Sequence, residues 1–112
     1  MSAEVRLDGG YAIVRLSGEI DLHNSPEARK LILGGLQDGR PMLVDLSNVD
    51  YIDSSGVASL VEGFQLARQR RLDYGLVGVS PAVLNVLKLA RLDQVFPIFA
   101  SVQTRLQIQG TE

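Results

Sequence analysis

At 112 residues and without cysteine, the chain is long enough for one domain, residues 1–112, to bury a core that needs no disulfides. Eleven basic and thirteen acidic residues give a net charge of -2, and aromatic residues make up only 5%, so the basic excess and stacking surfaces typical of nucleic-acid binders are missing. The sequence also lacks a leader-like first segment and an apolar run long enough to cross a membrane, so we expect a cytoplasmic protein without membrane insertion.

The first half of the chain predicts a β-hairpin, a helix and a buried strand. Residues 4–8 and 11–17 form the hairpin, because a Gly-containing turn separates two runs of β-forming residues. The helix begins just before Pro26, a residue suited to a first helical turn, and ends near Gly39. The apolar run PMLVDLSNV, residues 41–49, is typical of a strand that is covered on both faces.

The second half predicts three further helices and two short strands. The helices cover residues 55–70, 81–90 and 101–108, and the strands lie within residues 72–80 and 95–101. Strands that alternate with helices indicate an α/β fold, so we expect a mixed sheet of four or five strands with the helices packed mainly on one side. The predicted core comprises Val14, Leu16, Leu31, Val44, Leu46, Val57, Leu60, Val61, Phe64, Leu76, Val83 and Leu87.

Polar residues crowd the junction between the third strand and the second helix, in VDYIDSSGVASLV. A single side chain at Asp53 or Ser54 is enough to cap the helix, and capping alone is the simplest interpretation. A carboxylate and two hydroxyls together favour a solvent-facing site at the carboxyl edge of the sheet, where open α/β folds place ligands. Unpaired N–H groups and the helix dipole would stabilise an anion there, and Gly56 allows a close approach.

Three segments in this order resemble the anti-sigma-factor antagonist family of the STAS domain: LSGEIDLHNSPEARKLI, LVDLSNVDYIDSSGVASLV and GVSPAVLNVLKLARLDQVFPIF. The resemblance covers nearly the whole chain and implies a single STAS-like domain. It also implies that Ser54, directly after the aspartate, is phosphorylated by a partner anti-sigma factor that is also a serine kinase. The unphosphorylated antagonist binds this anti-sigma factor and frees the sigma factor, and a metal-dependent PP2C-type phosphatase resets the antagonist.

The resemblance extends to the loop after the second strand, where Asp21 matches an acidic position beside the phosphorylation site. A simple loop carboxylate is an equally good interpretation of Asp21. His23, the only histidine, is a loop residue that either contacts a partner or has no further role. The expected partner-binding residues around Ser54 are Asp21, His23, Asp53, Ser55 and Gly56.

Other classes of function have weaker support in the sequence. Ser54, His23 and an aspartate are the residue types of an esterase, but IDSSGV is not the G-x-S-x-G elbow of that chemistry. With one histidine and no cysteine, we expect no metal site, no cofactor and no enzymatic activity. STAS-like accessory subunits of lipid-transporting ABC systems are the remaining alternative, although their motif often has Thr or lacks a phosphorylatable residue. We expect a monomer or a weak dimer.

Overall fold

Strands and helices alternate along the part of the chain that the computed structural model describes, which is residues 1–110, with side chains described for residues 1–107. In chain order the elements are β1 (Ser2–Asp8), β2 (Tyr11–Ile20), α1 (Ser25–Gln37), β3 (Met42–Ile52), α2 (Ser54–Arg70), β4 (Tyr74–Val77), α3 (Pro81–Leu89), a 3-10 turn (Leu92–Gln94), β5 (Ile98–Phe99) and α4 (Val102–Gly110). This order confirms the predicted α/β fold.

The strands form one mixed sheet in the order β1-β2-β3-β4-β5. β1 and β2 are antiparallel and are joined by a tight turn, Gly9-Gly10, in which both glycines have positive φ. The pairs β2-β3, β3-β4 and β4-β5 are parallel, so helical crossovers connect them. The carboxyl ends of β2 and β3 therefore meet at one edge of the sheet, where Ile20 pairs with Ile52.

Alternate side chains of the sheet build two apolar layers. The larger layer lies under α1, α2 and α3 and includes Val14 and Leu16 of β2. The smaller layer, on the opposite face, includes Tyr11 and Ile13, and Val102 of α4 packs against it. The predicted packing of helices mainly on one side is thus confirmed. Most predicted core residues are fully buried; those that pack on the core while keeping part of their surface exposed are Leu31, Val57, Val61 and Phe64.

A polar cluster fastens α4 to the sheet. The Arg105 guanidinium donates to Asp73 Oδ2 at 2.9 Å, and the Tyr11 hydroxyl donates to the same oxygen at 2.8 Å. The guanidinium also lies over the rings of Tyr11 and Phe99, at 5.5 and 5.3 Å from their centroids. Burial, followed by the hydrogen bond to Asp73, raises the pKa of Tyr11 to about 12, so the phenol remains a donor at neutral pH.

Some element boundaries differ from the sequence-based expectations. β2 continues past residue 17 to Ile20, because register shifts after Arg15 and Gly18 keep it paired with β3. β5 contains only two residues, and the segment shortly before it, Leu92–Gln94, forms the 3-10 turn. Helix α2 begins at Ser54 rather than at residue 55, and that single position matters for the site described next.

Candidate functional site

Asp53 caps helix α2 through its side chain. Its backbone is extended, with φ -102° and ψ -174°, and its Oδ1 accepts hydrogen bonds from the backbone N–H groups of Ser55 at 2.9 Å and Gly56 at 3.3 Å. The Ser55 hydroxyl donates to the same oxygen at 2.5 Å. This hydroxyl, assisted by the backbone donors, holds the pKa of Asp53 below its usual range. The carboxylate is therefore ionised at neutral pH.

The two serines of the junction have different environments. Ser55 is half-buried, and its hydroxyl is engaged by Asp53. Ser54 is exposed at the first position of α2, and its hydroxyl has no hydrogen-bond partner among the residues that the structure describes. Of these two serines, Ser54 is thus the one that presents an accessible and uncommitted hydroxyl to an enzyme approaching from solvent.

The start of α2 has fewer free donors than the sequence predicts. The N–H groups of Ser55 and Gly56 already bond to the Asp53 carboxylate, and the Val57 N–H bonds to the Asp53 carbonyl at 3.0 Å. The helix dipole still favours an added anion, but these N–H groups are not available to it. A phosphate on Ser54 would therefore lie beside the Asp53 carboxylate and would not replace it as the cap.

The loop after β2 lies against this junction. Asp21 closes the loop with a local turn, in which its Oδ1 accepts from the N–H groups of His23 at 2.9 Å and Asn24 at 3.3 Å. The Asn24 Oδ1 accepts from the Asp21 N–H at 2.9 Å in return. The Asp53 N–H donates to the Ile20 carbonyl at 3.1 Å, which ties the two segments together. The structure therefore brings the Asp21 loop, with its exposed His23, next to the Asp53 junction.

Two exposed apolar side chains that the sequence motifs did not indicate lie near this junction in the sequence. Leu22, in the loop after β2, is 73% exposed, and Tyr51, near the end of β3, is 51% exposed. The backbone N–H of Leu22 contributes to the lowered pKa of Asp53, which places this loop residue at the site. In the sequence, the signal for an exposed contact residue was a leucine within an otherwise polar loop. Exposed apolar and aromatic side chains around a polar centre suit contact with another protein.

Gly56 has a packing role inside the fold. It is buried in the first turn of α2, and a Cβ at this position would lie 2.6 Å from Ile52 Cγ1 and 2.8 Å from Ile20 Cγ2. The missing side chain thus lets α2 begin directly on the ends of β2 and β3, which fixes where Ser54 and Ser55 lie. A contact between Gly56 and a partner stays a prediction.

The described residues do not assemble a metal site or a hydrogen-bonded pair of Ser54 and a base. Over these residues, no group of three His, Asp or Glu side chains is placed to hold a metal ion. A serine esterase needs a base bonded to its nucleophile, and no side chain of residues 1–107 hydrogen-bonds to the Ser54 hydroxyl. Within residues 1–110, none of the helices combines the length and the apolar character required to span a bilayer.

Sequence comparison relates almost the entire chain to known proteins. The model of the STAS domain family matches residues 2–105. The anti-sigma F factor antagonist of Paenibacillus polymyxa is 29% identical over 101 residues, which cover 88% of this chain and 86% of that protein. The chain and this relative are therefore similar over most of both lengths.

Solved structures share the fold. An anti-sigma factor antagonist from Mycobacterium paratuberculosis superposes with a TM-score of 0.83 at 27% identity, over 96% of this chain and 92% of that one. The Bacillus cell fate determinant SpoIIAA, in its phosphorylated form, superposes with a TM-score of 0.75 at 18% identity, over 95% of this chain and 97% of that one. From the match to the family model and the agreement in fold, we conclude that this chain belongs to the STAS domain family.

Proposed function

We propose that this protein is an anti-sigma factor antagonist whose binding to its partner is switched off by phosphorylation of Ser54. The observation that carries the proposal is the exposed, uncommitted hydroxyl of Ser54, which lies next to a serine whose hydroxyl is already bonded to Asp53. The names of similar proteins, which are anti-sigma factor antagonists, support the same function.

The charge of the surface explains how such a switch works. A phosphate adds roughly -1.5 to -2 charges at neutral pH. It would join the ionised Asp53, beside the loop that carries Asp21, so the surface becomes strongly acidic. The fold tolerates this charge, because Ser54 is exposed and the helix dipole offsets part of it. A partner must instead desolvate the phosphate in its interface, which weakens the complex.

The proposed partners are those that the resemblance to anti-sigma factor antagonists implies. The anti-sigma factor is itself the serine kinase that modifies Ser54, and a metal-dependent PP2C-type phosphatase removes the phosphate. We assign no catalytic residue to the chain, since antagonists of this kind are regulators. Asp21, His23 and Leu22 present the contact surface around Ser54, while the residues that position Ser54 from within the fold are Asp53, Ser55 and Gly56.

Affinity capture tests the proposed function directly. Unphosphorylated protein, immobilised and exposed to an extract of its own cells, should retain an anti-sigma factor with a kinase fold, identified by mass spectrometry. Addition of ATP should release that partner and leave phosphate on Ser54. Capture of a transporter subunit would instead support the accessory role in an ABC system, an alternative that the names of the similar proteins do not favour.

Replacing Asp21 by asparagine should separate recognition from folding. The asparagine Oδ1 can accept the same bonds from His23 and Asn24, so the free energy of unfolding should stay within about 1 kcal/mol of wild type. Loss of the negative charge should change partner affinity and the rate of Ser54 phosphorylation, measured by calorimetry and by phosphate incorporation. If both quantities equal those of wild type, Asp21 is not part of the recognition surface.

Replacing Ser55 by alanine should leave phosphorylation in place. The substitution removes the 2.5 Å hydrogen bond from the Ser55 hydroxyl to Asp53, which is the main cause of the lowered pKa of Asp53. The hydrogen bonds from the backbone N–H groups of residues 55 and 56 to the Asp53 carboxylate remain. We therefore expect a small loss of stability and full incorporation of one phosphate. Peptide mapping by mass spectrometry should locate it at Ser54. Phosphate at Ser55 in the wild-type protein would overturn the assignment.

A further inference from the structure

The first strand leaves one edge of the sheet open. β1 pairs with β2 on one side, and no strand of the described chain pairs with its other side. Val5 and Leu7 on this strand are 51% and 59% exposed. They line a groove of about 620 Å³ between β1 and α1. An unpaired edge with exposed apolar side chains is a template for pairing with another strand.

The hairpin turn determines which backbone groups this edge offers. A two-residue turn with positive φ at Gly9 and Gly10 closes on a hydrogen-bonded pair, here Asp8 and Tyr11. Because hydrogen-bonded pairs alternate along an antiparallel ladder, the N–H and C=O groups of Val5 and of its second neighbours along β1 point away from β2. These groups are free to form a second ladder.

We propose that β1 pairs antiparallel with β1 of a second copy of this chain, on a two-fold axis through Val5, and so joins the two sheets into one. In this register Glu4 lies opposite the second copy's Arg6, and Arg6 lies opposite the second copy's Glu4. Neither side chain forms an ion pair within the described chain. The strand is therefore complementary in charge to itself.

The same charges disfavour two other registers. An axis through Arg6 would put this arginine opposite itself and Glu4 opposite Asp8, and an axis through Glu4 would put two glutamates together. Like charges directly opposite each other destabilise a strand pair. A slip by one residue would place the apolar face of one strand beside the polar face of the other. An axis through Leu7 would also pair Arg6 with Asp8, but an axis through Leu7 or Ala3 would leave only three residues of each strand opposite one another. Strand overlap, charge and side-chain alternation together thus select the register centred on Val5.

The apolar face favours the same partner. Ala3 and Val5 pair with Leu16 and Val14 of β2, so they lie on the face that carries α1. In the dimer the second copy's strand continues this face, and Ala3 lies opposite the second copy's Leu7. The contact is a single pair of short strands, which is smaller than the interfaces of stable dimers. We therefore expect a reversible, concentration-dependent dimer.

Analytical ultracentrifugation of charge-reversed variants tests this proposal, which does not depend on the proposed function. Glu4→Arg and Arg6→Glu each turn two attractive pairs into two repulsive ones, so each variant alone should dimerise at least about tenfold more weakly than wild type. An equal mixture of the two variants restores both attractive pairs and should dimerise as wild type does. Thermal melts serve as a control, because Glu4 also lies opposite Arg15 of β2.

Each result of these measurements either supports or overturns the β1 dimer. If Glu4→Arg fails to fold, Arg6→Glu alone still tests the proposal, because the residue paired with Arg6 on β2 is the uncharged Ile13. A wild-type protein that stays monomeric at millimolar concentration overturns the proposal. So does a dimer whose dissociation constant is the same in wild type and Arg6→Glu, because that result places the contact on another surface.

Discussion

Replacing Ser54 by aspartate should leave the protein folded while lowering its affinity for the anti-sigma partner by on the order of a hundredfold. Ser54 is exposed at a helix N-terminus, so a negative charge there does not disturb the core. In the complex the same charge must lose water and faces any acidic or phosphate groups of the kinase. A cost of about 3 kcal/mol corresponds to that loss of affinity.

Three variants at this position separate charge from size. Ser54→Ala should bind the partner persistently and resist phosphorylation, because it has no acceptor hydroxyl. Ser54→Asn has nearly the size of aspartate without its charge and should bind almost as wild type does. Calorimetry with the purified partner measures all three affinities. An asparagine variant as weak as the aspartate variant would show that steric bulk, and not charge, controls the complex.

Replacing Gly56 by alanine should destabilise the protein by about 1–3 kcal/mol, the usual cost of overpacking a core. The new Cβ would approach Ile52 Cγ1 to 2.6 Å and Ile20 Cγ2 to 2.8 Å, and both isoleucines are buried and branched at Cβ. Relieving these close contacts requires α2 to move away from the ends of β2 and β3. We therefore expect lower partner affinity as well, because this movement displaces Ser54.

Gly34 provides a matched control for this substitution. It also lies inside a helix, α1, but nothing lies within 4 Å of a Cβ added there. Gly34→Ala should therefore raise stability by up to about 1 kcal/mol through helix propensity. Urea denaturation of both variants measures the difference. If Gly56→Ala were as stable as wild type, the close approach of α2 to the sheet would not be a constraint on the fold.

Local patterns were sufficient to predict most of the architecture. Strand and helix alternation gave the sheet and its crossovers, because parallel strands need long connections and the helices between them have clear start signals. The bounds of β5 within residues 95–101 were not predictable, since pairing of only Ile98 and Phe99 with β4 depends on where the sheet ends and not on their residue types. The exposure of Leu31 and Phe64 likewise depends on neighbours that the sequence does not specify.

The candidate site was predictable in its composition but not in its details. The Asp53 cap and the meeting of two loops follow from capping preference and parallel topology. The difference between Ser54 and Ser55 in the structure rests on which hydroxyl points to the Asp53 carboxylate, and side-chain direction is not encoded in a four-residue motif. The exposure of Leu22 was not predictable either, because loop conformation decides it.

The open edge of β1 bears on how many partners a pair of molecules can hold. A two-fold axis normal to the sheet reverses every strand, so the carboxyl ends of β3 in two joined copies point in opposite directions. Each copy then carries its own Ser54 at a different end of the shared sheet. Because the two sites face away from each other, the dimer holds two separate partners, and the avidity gained by engaging both sites at once is lost. Phosphorylation of Ser54 in one copy should therefore release only the partner bound to that copy.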